Sequence, residues 1–364
     1  MESRFVWMDG RLVPFEQATV HFLSPAIHYG LAVFEGVRAY PTPRGPGIFR
    51  LREHAERLVD SARIFGLRDL GYGVAELALA MSQTVAANGF SACYIRPVIY
   101  MASGAWNLNL DTGRHAVGIA VWEWTQFLGE EAFARGVRAN VSSFTRHHPN
   151  VMMTKAKISG NYANSVLAKT ESVRLGFDEA IMLDPYGFVA ECTGENLFLV
   201  KDGRIRTPDS ATVLEGITRD AVLTIARDLG HEVTEGPVSR DQLYAADEVF
   251  VCGTAAEVVG LREIDFRPIG EGRTGPLTRE IQRVFHAAVS GQDPRYAGWI
   301  TVVTPDCLPA GWDTESGAGR AAAVPFPQRA ASEAGFTSAE RAGGLGDAAQ
   351  RPPAQVTRDR VGGR

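Results

Sequence analysis

Strand-like and helix-like runs follow one another irregularly from residue 5 to residue 303, and that irregularity limits the fold more than any single motif does. The run "RFVWM", the pair Asp9-Gly10 and "RLVPF" read as a β-hairpin, because Asp-Gly suits a two-residue turn. "GIFRLREHAERLVDSARIFGL" then switches to a helical period, with Leu51, Ala55, Leu58, Ala62 and Phe65 on one stripe. A second helix is predicted over about Val74 to Asn88, closed by Gly89, followed by the strands "CYIRPVIYM" and "HAVGIAVWEW". Beyond "GVRANVSSF" come the helix "GNYANSVLAKTESVRLG" and the strands "EAIMLD", "FVAEC" and "NLFLV". A Lys201-Asp202-Gly203 turn then leads into "RIRTP". The helix "TRDAVLTIARDLG" (closed by Gly230), the strand "EVFVCGT" and the helix "GPLTREIQRVFHAAV" complete the pattern. Strands and helices mix without a strict strand–helix–strand repeat, which predicts an α+β fold rather than a doubly wound sheet.

The 364 residues suffice for two domains, each with its own core. The predicted division is a small N-terminal domain over 1–127, a connector over 128–138 and a larger domain over 139–303. A tail over 304–364 is rich in Ala, Gly, Pro and Arg, too poor in large apolar residues to offset its ordering entropy, and is expected to be disordered. A net charge of -5 with no basic stripe argues against nucleic acid as a partner. No apolar run approaches the ~20 residues that span a bilayer, so no membrane is expected. The start "MESRFVWMDGRLVPFEQ" lacks the pattern of a signal peptide. Cys93, Cys192, Cys252 and Cys307 lie far apart, without a Cys-x-x-Cys pair or a histidine at ligand spacing. The simplest expectation is a reducing, cytoplasmic setting and no metal.

Three features carry possible chemistry. "MTKAKISGNYANS" holds Lys155 and Lys157 two positions apart, and a lysine becomes a nucleophile when desolvation or a neighbouring cation lowers its pKa. "LEGITRDAVL" puts Gly216, Ile217 and Thr218 at a helix start, where free N–H groups and the dipole attract an anion. "VFVCGTAAEV" puts Gly253, Thr254 and Ala255 directly after a strand, a second possible anion cup. Finally, Glu191 in "AECTGENLFLV" ends an apolar strand, where a charge needs a cationic or protonated partner. A strand-end salt bridge would satisfy it, and so would a protonated pyridine nitrogen.

In order, "HYGLAVFEGVRAY", "HAERLVDSARIFGL", "YIRPVIYM", "TKAKISGNYANS", "ECTGENLFLVKDG", "LEGITRDAV" and "FVCGTAAEV" resemble the class IV pyridoxal-phosphate aminotransferases, and most of all the branched-chain amino-acid aminotransferases. The resemblance covers nearly all of residues 5–300. It implies a two-domain fold of type IV, like that of D-amino-acid aminotransferase, with pyridoxal 5'-phosphate held by the larger domain. The implied reaction is ping-pong transamination between leucine, isoleucine or valine and 2-oxoglutarate.

The resemblance also implies roles. The family's lysine stands five residues before the tyrosine of the Gly-Asn-Tyr turn, so Lys157 is the catalytic, Schiff-base lysine and Tyr162 bonds the cofactor's phenolate oxygen. Glu191 keeps the pyridine nitrogen protonated, and Arg57, Ile217, Thr218 and Thr254 hold the phosphate. Phe34, Tyr94, Arg96, Trp124 and Ala255 match the substrate pocket. Tyr29, Trp106 and Leu108 match residues that reach the neighbouring subunit's site, so a homodimer is implied. Two departures bear on specificity: Trp106-Asn107 replaces a smaller apolar residue and glycine, and Phe127 stands where a tyrosine is usual. They leave open a shift toward aromatic side chains. A D-amino-acid aminotransferase and an aminodeoxychorismate lyase are the rivals on the same fold.

Overall fold

Asp9 and Gly10 both adopt positive φ, 42° and 93°, the conformation that lets a two-residue turn follow the right-handed twist of its strands. Phe5–Met8 and Arg11–Pro14 pair antiparallel on either side. The computed structural model describes residues 3–124, 135–209, 211–310 and 312. The connector over 128–134, Phe127 and all but eight residues of the 304–364 tail lie outside them.

The hairpin edges an eight-stranded sheet whose strand pairs are all antiparallel. Its centre is the pairing of Cys93–Ser103 with Arg114–Glu123. Helices Leu51–Phe65 and Val74–Asn88 cover one face, burying Ala55, Leu58 and Ala62 from the first and Leu77, Ala80 and Met81 from the second. Both helices end on a left-handed glycine, Gly66 and Gly89. The strand Ile300–Val302 returns from the far end of the chain to pair with Gly45–Phe49.

The second sheet has nine strands and is mixed. Val137–Val141 lies parallel to both Glu179–Leu183 and Glu257–Ile264, while Asn196–Lys201 and Glu248–Gly253 pair antiparallel. Helices Ile217–Asp228 and Pro276–Val289 pack on Phe198, Phe250 and Val258 of one face. Leu197, Leu199, Val249 and Val251, one position along each strand, line the other face with Val238 and Leu243. This is period-two strand burial with amphipathic helices alongside. The fold is α+β.

The lysine segment is tied to the first sheet. Ala156 and Ile158 are buried in that sheet's core. The Phe34 N–H donates to the Lys157 carbonyl (3.0 Å), and the Lys157 N–H donates to Ser61 Oγ (3.0 Å). Alternation therefore turns Lys155 and Lys157 away from that core.

Candidate active site

The two lysines separate at once by their partners. Lys155 Nζ donates to the Val213 carbonyl (2.8 Å) and stands 3.8 Å from Glu215 Oε1. Lys157 Nζ donates to Tyr162 Oη (2.8 Å) and lines a cleft with Tyr162, Glu191, Asn196, Arg146 and Leu214. The cleft is open to solvent. The Phe34 ring meets Tyr162 edge-on at 4.8 Å and lies 5.3 Å from Lys157 Nζ, so an aromatic wall flanks the amine.

Glu191 forms part of the cleft floor and is buried. Arg146 supplies a cationic partner, Nη2 to Oε1 at 2.6 Å. Its other oxygen accepts from Asn196 Nδ2 (3.3 Å) and the Leu214 N–H (3.2 Å). The sequence reading asked for such a partner but did not identify Arg146, which stands in the loop "TRHHPN" with no periodicity to mark it. Next to it, burial pushes the Glu195 carboxyl above the usual carboxylate range, with Glu179 adding to the effect. Burial, together with the Arg146 charge, pushes His147 down to about 4.

The segment 213–216 is pinned from several directions. Lys155 holds the Val213 carbonyl, Asn196 Nδ2 holds the Leu214 carbonyl (3.0 Å), and Arg57 Nη1 holds the Glu215 carbonyl (2.8 Å). Gly216 follows, and a Cβ there would sit 2.0 Å from Asn196 Oδ1, so only glycine fits. These bonds fix the N-terminus of the helix Ile217–Asp228, where Ile217 and Thr218 are buried. Gly216 offers no side-chain cap, so the first N–H groups and the positive dipole end remain available to an anion. Thr254 and Ala255 follow the strand Glu248–Gly253; a Cβ on Gly253 would lie 3.1 Å from the carbonyl of Gly194, itself a cleft residue.

Arg57 comes from the helix Leu51–Phe65, and its guanidinium is already held. Nε and Nη2 donate to the two oxygens of Glu35 at 2.6 and 2.8 Å. Glu35 is fully buried and also faces His54 Nδ1 (2.8 Å). Neither Glu35 nor His54 was singled out from the sequence. A signal existed, since a lone carboxylate within "HYGLAVFEGVRAY" raises the question that was asked of Glu191.

The remaining candidates fall into two groups. Arg96 lies over the rings of Phe34 (4.7 Å) and Tyr94 (5.3 Å), and Tyr94 stacks on Trp122 and tilts against Trp124. The Arg96 Nε is buried without a partner, a donor left for a carboxylate. Of the residues predicted from the sequence, Lys157, Tyr162 and Glu191 line the cleft; Arg57, Ile217, Thr218, Thr254, Phe34, Tyr94, Arg96, Trp124, Ala255, Tyr29, Trp106 and Leu108 are not among its lining residues. Trp106 instead meets Tyr29 and His28 edge-on, and Tyr29, Trp106 and Leu108 are exposed, Leu108 at 74%. Among the described residues, no group of three or more His, Cys, Asp and Glu is arranged to hold a metal, and no helix is long and apolar enough to cross a membrane.

Residues 32–264 match the model of the family described as Amino-transferase class IV. A branched-chain-amino-acid aminotransferase of Pseudomonas aeruginosa is 46% identical, over 82% of this chain and 97% of that protein. A crystal structure of a branched-chain amino acid aminotransferase with pyridoxamine 5'-phosphate, from the organism abbreviated T.th., superposes with a TM-score of 0.80 at 48% identity, covering 84% of this chain and all of that one. The same enzyme complexed with N-(5'-phosphopyridoxyl)-L-glutamate gives 0.79 at 47%.

Proposed function

The chain belongs to the class IV aminotransferases, and from that premise we propose that it transfers the amino group between branched-chain L-amino acids (leucine, isoleucine, valine) and 2-oxoglutarate with pyridoxal 5'-phosphate as cofactor. The observation that carries this reading is the cleft in which Lys157 and Tyr162 share a hydrogen bond above the paired carboxylate of Glu191.

The residues present fit that cofactor. A guanidinium has five N–H donors, and Arg57 spends three, on Glu35 and on the Glu215 carbonyl. Two are left for a phosphate, next to the helix start at Ile217 and Thr218, with Thr254 as a third contact. Glu191 would face the ring nitrogen and Tyr162 the phenolate oxygen. Bound there, the cofactor supplies an electron sink for the charge that develops at the substrate Cα.

Lys157 is the proton carrier of this scheme. Its Nζ would take a proton from the substrate Cα and then give it up, serving as general base and then general acid. Tyr162 Oη, 2.8 Å away, orients that amine. Arg96, with its unpartnered Nε, and Tyr94 orient the substrate carboxylate. Phe34, Trp124 and Ala255 supply apolar walls for the side chain. Glu191, ion-paired with Arg146, would face the ring nitrogen.

We further infer a homodimer, in which Tyr29, Trp106 and Leu108 of one copy complete the other's pocket, and a cytoplasmic setting. The exposed, mutually packed Tyr29–His28–Trp106 rings support the dimer. We also infer a two-domain division at 128–138; the separation of most strands into two sheets supports it, with Ile300–Val302 crossing back to the first sheet.

The test is the visible absorption of the cofactor-loaded protein during titration. L-Leucine is expected to shift the cofactor band, and 2-oxoglutarate to restore it, while D-alanine leaves it unchanged. A response to D-alanine alone would keep the fold and cofactor but remove the branched-chain assignment.

A further inference from the structure

Glu35, His54 and Arg57 form a buried chain of charged and polar groups that the reaction itself does not use. Glu35 and His54 are both fully buried. Both carboxylate oxygens of Glu35 are engaged by Arg57, and Oε2 also by His54 and by the Gly36 N–H at 3.3 Å. Burial alone would raise the Glu35 carboxyl, yet the Arg57 charge and the His54 contact hold it well below the usual carboxylate range. Burial lowers His54, so at neutral pH it is the neutral tautomer with Nδ1–H donating to Glu35; its Nε2 has no partner.

This arrangement removes freedom from an otherwise flexible side chain. The pair is bidentate, and two bonds to two oxygens fix the orientation of the guanidinium as well as its position. Arg57 Nη1 is also bonded to the Glu215 carbonyl, one residue before the glycine that opens the helix Ile217–Asp228. Only one N–H on each terminal nitrogen remains, and the clamp decides where both point. A lone buried carboxylate would repel an incoming phosphate; with its charge neutralised by Arg57, it acts as a hinge-pin for the arginine.

We propose that Glu35 is a positioning residue, held by His54, that sets the orientation in which Arg57 receives the phosphate of the cofactor. This rests on the cofactor reading given above. Glu35 touches neither substrate nor reacting atoms, so its effect falls on phosphate affinity.

The experiment is an equilibrium titration of the cofactor-stripped, full-length protein with pyridoxal 5'-phosphate and, separately, with pyridoxal, which lacks the phosphate. Glu35→Gln is compared with wild type and with Arg57→Gln. Glutamine turns a donor toward Arg57 or His54, which breaks the clamp with little change of shape. The expected result is a loss of pyridoxal 5'-phosphate affinity of about 10- to 100-fold, the usual scale for an outer partner of a binding group. Pyridoxal affinity should stay within about twofold, and adding Arg57→Gln to Glu35→Gln should cost less than the two losses multiplied. An unchanged phosphate-ester affinity, or an equal loss for both compounds, would overturn the clamp. If Glu35→Gln does not fold, Glu35→Asp carries the same test, because its carboxylate is withdrawn by one methylene. A wild-type protein that bound neither compound would instead overturn the cofactor reading beneath the proposal.

Discussion

The floor of the cleft and the exposed ring cluster beside it are built on opposite principles. In the cleft and the bonded network behind it, Glu191 is paired with Arg146, Arg57 with Glu35, and the carbonyls of Val213, Leu214 and Glu215 each accept from a named side chain. In the cluster, Trp106 and Leu108 stand on a turn where Ala105 and Leu108 take positive φ; Trp106 meets the exposed rings of His28 and Tyr29, and Leu108 is exposed. The lesson is a division of labour. On the function proposed above, the buried pairs of fixed geometry would hold the groups of the reaction, and the exposed apolar groups would bear on the substrate side chain or on a neighbouring subunit.

Substitutions should respect that division. The largest effect is expected for Lys157→Ala, which removes the proton carrier and should lower kcat by about 10⁴-fold. Lys155→Ala, two positions away, should cost less than about tenfold, since Lys155 braces the Val213 carbonyl and faces Glu215. Steady-state rates with L-leucine decide this, and comparable losses for the two would erase the distinction between the lysines. Next comes Arg146→Met, which leaves the Glu191 carboxylate buried and unpaired. A loss of about 3 kcal/mol of unfolding free energy is expected, read from denaturant midpoints. A neutral result would mean that Glu191 does not depend on Arg146 for its charge.

A smaller effect concerns pH. His54 and His147 both have native pKa values below their unfolded values, mainly through burial. As pH falls below about 6.5 the unfolded chain takes up protons that the native chain refuses, so stability drops. For His147 the loss runs from about 6.5 down to about 4. His147→Asn should flatten part of that slope between pH 7 and 5; an unchanged slope would assign it elsewhere. The smallest effect is expected at the exposed cluster. Trp106→Val should alter the ratio of leucine to phenylalanine kcat/KM by about tenfold or less. Loss of turnover with both substrates would place Trp106 in the catalytic floor after all.

Legibility in the sequence follows the same division. The long helices were readable because apolar period and glycine caps agree: Val74–Asn88 was placed to the residue, and Ile217–Asp228 and Pro276–Val289 to within two. The strands Val37–Thr42 and Gly45–Phe49 were not, since Pro41, Gly45, Pro46 and Gly47 interrupt any strand pattern and lie in a hairpin that tertiary pairing with Ile300–Val302 stabilises. Glu257–Ile264 was missed because Gly260, Arg262 and Glu263 break any regular alternation and it begins at Glu257 with positive φ. In the site, residues within motifs were legible, whereas Arg146, Asn196, Glu35 and His54 act through contacts between distant segments. No local spacing announces a bond between residues 35 and 57, or 146 and 191.

The most direct test of the central claim is to reduce the cofactor-loaded protein with borohydride and map the modified peptide by mass spectrometry. The phosphopyridoxyl mass is expected on Lys157. Recovery of that mass on Lys155, or its absence from the segment 153–162, would contradict the account.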